Sequence, residues 1–221
     1  MGWKASGRSQ QNELLDTGFM VQTIFLLRHA ESESNVQKYY GGWTDSPLTD
    51  LGRKQAGILG RRLLRENIGK AYCSDLARAR QTFQAIGLQC PIEYAEALRE
   101  KNYGIMEGKP WTDAEEHRQA HFNQEHKFEK GESVVEVQKR VVDFFNSKVL
   151  KSSEEKVIVV SHHNPLVALA CHVIGLDLKN WRHLQIGNAG LCILNFEEGI
   201  WRIKLWNSLS HFGLQNDGPL Y

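Results

Sequence analysis

The sequence predicts an α/β protein with a mostly parallel central sheet. Two apolar, β-branched runs, "VQTIFLL" (21–27) and "KVIVV" (156–160), have the pattern of strands buried on both faces. Between and after them come segments with helical apolar spacing, and an alternation of such strands with helices is the signature of a parallel sheet. A third observation closes the sheet: "GLCILNF" and "WRIKLW" flank Glu198-Gly199, the layout of a hairpin.

Residues 1–19, with "GRSQQNE" among them, show little apolar periodicity and read as a polar, flexible extension, with order beginning near Met20. The opening "MGWKAS" fits the loose myristoylation pattern, but a polar extension is the plainer reading. After the first strand, Leu51, Ile58, Leu59, Leu63 and Leu64 predict a helix with one apolar stripe. Val134, Val137, Val141, Phe144 and Phe145 predict another, opened by the capping box Ser133-x-x-Glu136. "NPLVALACHVIG" follows the second strand, and Pro165 suits its first turn because the missing N–H is no loss there. Residues 20–221 are expected to form a single domain.

The composition narrows the function. Lysines and arginines, 27 in all, nearly cancel 26 acidic residues and leave a formal charge of +1, so no overall field recruits nucleic acid or an anionic membrane. Four cysteines lie far apart with no C-x-x-C pair, which suits thiols in a reducing cytoplasm rather than disulfides or zinc. No apolar run approaches the roughly 18 residues of a membrane span. "HRQAH" sets His117 and His121 four apart but lacks the glutamate of H-E-x-x-H, so no metal is expected. Six tryptophans and the apolar hairpin serve either a core or a homodimer interface.

In open α/β sheets ligands gather at the carboxyl ends of strands. Here those ends carry Arg28-His29 and Ser161-His162-His163. A cation and an imidazole leaving a buried strand together imply an anionic substrate.

Around these positions the chain resembles the histidine phosphatase superfamily, also called the phosphoglycerate mutase-like family, through most of residues 21–212. Its R-H-G-x-x-x-x-N appears as Arg28-His29-Ala30 through Asn35; S-x-x-x-R-x-x-x-T as Ser74, Arg78 and Thr82; and L-x-E-x-x-x-G-x-x-E-G as Leu98, Glu100, Gly104, Glu107 and Gly108. The second histidine motif appears as Ser161-His162, with His163 where the family usually has glycine. The resemblance implies a three-layer α/β/α sandwich with a mostly parallel central sheet, phosphoglycerate mutase-like, and phosphoryl transfer through a phosphohistidine. His29 would be the nucleophile, Glu100 the acid and base, and Arg28, Arg78 and, if protonated, His162 the cations around the phosphoryl oxygens, with Asn35 a neutral donor. The N–H groups opening the helix after Asn164 offer a further anion site. No metal and no cofactor is called for.

A mutase must exclude water from its phosphohistidine, and mutases of the family carry a long insertion as a cover. The interval from Gly108 to Gly131 is too short for one, so a phosphatase acting on a small phosphorylated metabolite is expected, with a short lid at about 108–131. Gly41 and Gly42 in "GGWTD", Tyr103, and Asn164 resemble mutase pocket elements and are read, with His163, as lining the substrate pocket. Trp111, His121, Phe122, His126 and Lys127 are lid candidates for substrate choice. A phosphoglycerate mutase and a phosphate-binding protein without turnover are the alternatives.

Overall fold

Six strands form one sheet in the computed structural model, which describes residues 21–111, 119 and 122–212. The extension at 1–19, His117 and His121 lie outside the described residues. The strands are β1 (Thr23–Arg28), β2 (Lys70–Ser74), β3 (Ile92–Ala95), β4 (Lys156–Ser161), β5 (Leu191–Glu197) and β6 (Ile200–Ser208), in the order β3-β2-β4-β1-β5-β6. The pairs β1/β4, β2/β4 and β2/β3 are parallel, while β5 runs antiparallel to both β1 and β6.

The helices are α1 (Glu33–Gln37), α2 (Asp50–Leu63), α3 (Ala77–Ile86), α4 (Val134–Phe144) and α5 (His163–Val173). Because strand side chains alternate, Phe25 and Leu27 of β1 join the core under α2 and α3, and Ile24 and Leu26 join the core under α4 and α5. That makes the three layers. The capping box forms as expected: Ser133 Oγ accepts from the Glu136 N–H, and the Glu136 carboxylate accepts from the Ser133 N–H. The hairpin turns at Glu198 and Gly199, both at positive φ (54° and 79°), the conformation of a two-residue turn that matches strand twist.

The structure differs from the expected pattern in two places. Leu51 and Leu64 are not part of the buried stripe of α2; they are 53% and 62% exposed. The buried face carries Leu59 and Leu63 together with Ala56 and two glycines: a Cβ at Gly52 would lie 2.0 Å from the Glu31 carbonyl oxygen, and one at Gly60 2.2 Å from that of Ile86. Backbone-to-backbone approach turns the helix and swings the flanking leucines outward. Strands β2, "KAYCS", and β3, "IEYA", were not anticipated, since each is short and lacks a β-branched run.

This topology brings three strand ends side by side. Arg28 at the end of β1 is in register with Ser161 of β4, and β2, on the other side of β4, ends at Ser74.

Candidate active site

His29 follows directly on β1 and is buried. Its Nδ1 lies 2.8 Å from the carbonyl oxygen of Ala30, and since a carbonyl can only accept, Nδ1 carries the proton. Nε2 is left with a bare lone pair. Burial first, then the charges of Arg78 and Arg28, hold this imidazole well below its ordinary titration range, against the opposing bond to Ala30. It is therefore neutral at pH 7, the form that attacks phosphorus.

His162, the residue after β4, faces it with ring centroids 5.0 Å apart. Its hydrogen bonds run the other way. Arg78 Nε donates to Nδ1 at 3.2 Å, which fixes the proton on Nε2, and Nε2–H donates to Ser74 Oγ at 2.8 Å. Burial, then Arg78, His29 and Arg28, keep it far below the ordinary imidazole range. The condition under which His162 would act as a cation is not met: it is neutral here, because a guanidinium occupies the lone pair a second proton would need.

Arg78 is buried on the first turn of α3 and one turn before Thr82 on the same face, while Ser74 closes β2 just ahead of the helix. Two further Arg78 donors go to backbone, Nη1 to Thr44 O at 3.1 Å and Nη2 to Gly42 O at 2.6 Å, which leaves one N–H on each Nη. Thr82 Oγ1 accepts from the N–H of Ala30 and donates to Arg78 O, tying α3 to the loop after β1. Arg28 Nη1 donates to Ile186 O at 2.7 Å, while its Nε is buried with no hydrogen-bond partner among the described residues. Burial lowers the pKa of both arginines and Glu100 opposes the shift, but a guanidinium stays charged. Two fixed cations, one with an unsatisfied donor, make a place for an oxyanion.

Asn35 Oδ1 accepts from Ser32 N, Ser32 Oγ and Asn188 Nδ2, at 3.1, 2.8 and 3.0 Å, so its Nδ2 is the group left to donate. Glu100 is buried, and Oε1 accepts from the N–H groups of Lys101 (2.7 Å) and Asn164 (3.2 Å). At the helix start expected to offer an anion site, the Asn164 N–H is therefore held by Glu100 Oε1.

The chain matches the family model described as the histidine phosphatase superfamily (branch 1) over residues 24–209. It belongs to that superfamily. It is 32% identical over 201 residues to a protein of Hydrogenobacter thermophilus provisionally named phosphoserine phosphatase 2, covering 86% of this chain and 98% of that one. It is 29% identical to a protein of Yersinia enterocolitica provisionally named phosphoglycerate mutase GpmB, over 83% of this chain and 89% of that one. Among solved structures, a mycobacterial glucosyl-3-phosphoglycerate phosphatase superposes with a TM-score of 0.73 at 27% identity, over 85% of this chain and 99% of that one.

In this histidine phosphatase the pocket candidates separate into walls and supports. Gly41 and Gly42 are supports: Gly41 O accepts from Thr44 N, Gly42 O holds Arg78, and a Cβ at Gly42 would meet Glu107 Oε1 at 2.2 Å. That carboxylate gathers the loop by accepting from Trp43 N, Thr44 N and Thr44 Oγ1. Tyr103 OH accepts from Asn164 Nδ2 at 3.2 Å, and burial, then Glu100, raise its pKa so that it remains a phenol. His163 is the first residue of α5 and is absent from the positive-φ residues, so its place needs no glycine. Its Nδ1 lies 3.4 Å from Ile186 O, the carbonyl Arg28 uses, and its ring stands edge-on to Trp181.

Of the lid candidates, Trp111 is exposed, Phe122 lies under Arg182 (3.8 Å), and Lys127 pairs with Glu136 at 2.7 Å. His126 offers its carbonyl to the buried Lys101 ammonium at 3.2 Å. Burial pulls that lysine down to about 8.

Three supports went unseen in the sequence. Arg140 Nη2 donates to the Glu100 carbonyl at 2.8 Å and Nη1 to Ala97 O at 2.8 Å, while Glu132 accepts from Arg140 Nε and from Asn102 N. This pair clamps the loop on both sides of Glu100. Asn188 is the third, donating to the site from the loop before β5. Glu132 and Arg140 are eight apart across a helix start, a spacing that could have suggested an ion pair; Asn188 had no such signal.

Proposed function

We propose that the protein hydrolyses a small phosphomonoester through a phosphohistidine at His29. The observation that carries this reading is the Nδ1–H···O bond to Ala30, which leaves Nε2 as a neutral nucleophile beside two buried guanidinium groups. In the first step the Nε2 lone pair forms the N–P bond as the ester P–O bond breaks, and the leaving oxygen takes the Glu100 proton. In the second, Glu100 takes a proton from water as the water oxygen bonds phosphorus and the N–P pair returns to Nε2. Arg28, Arg78 and the Asn35 amide hold the equatorial oxygens, where charge gathers in a loose transition state. No step draws on a metal or a cofactor.

A substrate with a carboxylate near its phosphate is favoured, since phosphoserine, phosphoglycerate and glucosyl-3-phosphoglycerate appear in the names of the relatives. Mutase activity is the second reading, favoured by the GpmB similarity and the Tyr103–Asn164 bond. The reach of the family model supports one catalytic domain. Four free thiols, and no helix among the described residues long and apolar enough to cross a membrane, support action in the cytoplasm. A homodimer is retained as part of this reading.

The test is hydrolysis of p-nitrophenyl phosphate in EDTA, with acid-quench trapping of the phosphoenzyme and 3-phosphoglycerate assayed alongside with added 2,3-bisphosphoglycerate. Wild type should turn over and trap label, and His29→Ala should lose both, by on the order of 10⁴-fold or more in rate. Full activity in that variant, or turnover that EDTA abolishes, would sink the mechanism.

A further inference from the structure

Residues 186–190, "IGNAG", form a short loop ahead of β5 that the motifs do not cover. Its backbone holds the end of β1 at three points: Ile186 O accepts from Arg28 Nη1 (2.7 Å), Gly190 O from Arg28 N (3.3 Å), and Ala189 N donates to His29 O (3.1 Å). The loop is itself pinned, since Gly187 N donates to Asn207 Oδ1 at 2.8 Å and Gly190 N to Gly187 O at 2.9 Å. Into this frame one side chain projects. Asn188 Nδ2 stands 3.3 Å from His29 O, 3.4 Å from Ala30 O and 3.0 Å from Asn35 Oδ1.

We propose that Asn188 is a positioning residue that sets the nucleophile and the neutral phosphate donor through one amide. This rests on the reading of His29 as the nucleophile. The carbonyl of Ala30 chooses the His29 tautomer, because it is the acceptor for Nδ1–H; whatever orients that carbonyl decides which ring nitrogen is bare. Asn188 donates to the His29 carbonyl of the 29–30 peptide and to the Ala30 carbonyl of the 30–31 peptide, so it resists rotation of both planes, the second of which carries the oxygen that accepts His29 Nδ1–H. The same Nδ2 donates to Asn35 Oδ1, which adds a third donor against a flip that would turn oxygen, not nitrogen, toward phosphate. An amide suits the position for a simple reason: three oxygens converge there and need a donor with two protons.

Asn188→Asp preserves the shape and replaces the donor by a carboxylate facing three oxygens; Asn188→Ala removes the group. In histidine labelled with ¹⁵N, long-range ¹H–¹⁵N correlation reads the His29 tautomer without turnover, assigned by its loss in His29→Gln. Wild type should show Nδ1–H at His29, and both Asn188 variants a mixture with Nε2–H. Hydrolysis of p-nitrophenyl phosphate should fall about 100-fold in kcat for Asn188→Asp, the scale of a displaced reacting group. Asn188→Ser, which can still donate one hydrogen bond, should lie between.

An unchanged His29 tautomer in Asn188→Asp overturns the proposal, whether activity survives or falls together with melting temperature. So does a kcat within twofold of wild type. Failure of the underlying reading looks different: His29→Gln would then turn over like wild type, whatever the tautomer spectrum shows.

Discussion

His29 and His162 stand at the ends of neighbouring parallel strands, equally buried, ring to ring, under the field of the same two arginines, yet they carry their protons on opposite nitrogens. The difference comes from what the next atoms offer. A carbonyl at Nδ1 of His29 demands a proton and bares Nε2; a guanidinium at Nδ1 of His162 supplies one and spends the lone pair. Two imidazoles of one residue type are thus divided into a nucleophile and a fixed N–H donor by a single partner each. Depressed basicity alone would not separate them, since burial leads the shift in both.

The largest expected effect short of removing His29 comes from Arg78, the partner that defines His162. Arg78→Met deletes donors to Thr44 O, Gly42 O and His162 Nδ1 at one stroke and removes a charge beside the phosphoryl oxygens. Steady-state kinetics should show kcat/KM down by roughly 10²- to 10³-fold, the usual cost of a transition-state donor. Arg78→Lys should recover little, because a compact ammonium cannot span three acceptors that a planar fork reaches together. If His162 keeps its proton on Nε2 in Arg78→Met by ¹⁵N shifts, the guanidinium is not what divides the pair.

Acid should act on both histidines alike. Unfolded imidazoles titrate near 6.5, and the folded pair lies well below that. Between these limits the unfolded chain binds more protons, so stability is full above about pH 6.5 and falls as pH drops, by about 1.4 kcal/mol per pH unit for each histidine. Urea midpoints from pH 7 to 5 should show this slope, and His162→Gln should remove about half of the part due to this pair, beside which His172 and His211 add their own. A slope unchanged in that variant would mean that His162 protonates in the folded state near its ordinary value.

Much of this division was legible in the residues, and the illegible part has a common cause. Buried runs located β1 and β4, and the resemblance carried by Ser74, Arg78 and Thr82 supplied the second arginine, so the placement of the site followed from patterns of side chains. The tautomers did not follow, because they depend on the Ala30 carbonyl and on the direction of an Arg78 donor, and a backbone oxygen leaves no mark on composition. The charge state of His162 stayed open for this reason. The same holds for the Ile186, Gly42 and Thr44 carbonyls that orient the arginines, and for α2, where close backbone approach at Gly52 and Gly60 adds to a leucine stripe that buries Leu59 and Leu63 but leaves Leu51 and Leu64 exposed. Short strands such as β3 take their place from the neighbour they pair with rather than from their own four residues.

Ser74→Ala asks whether the other end of His162 matters as much as its Arg78 end. The hydroxyl accepts Nε2–H at 2.8 Å in a fully buried setting and also receives Leu76 N at 3.3 Å. Its loss leaves a buried N–H unpaired, which costs about 1–3 kcal/mol of stability. The melting temperature should therefore fall. Chemistry should suffer less, because Arg78 still donates to Nδ1 and so still keeps the proton on Nε2; a drop in kcat/KM of less than about tenfold is expected from the loss of one neutral hydrogen bond. The comparison with Arg78→Met is the informative one. If Ser74→Ala loses as much activity as Arg78→Met while remaining folded, then the direction of the His162 ring is set by the hydroxyl and the guanidinium's share is electrostatic; if it loses less than Arg78→Met but more in stability than in rate, the proton on Nε2 is held there by Arg78.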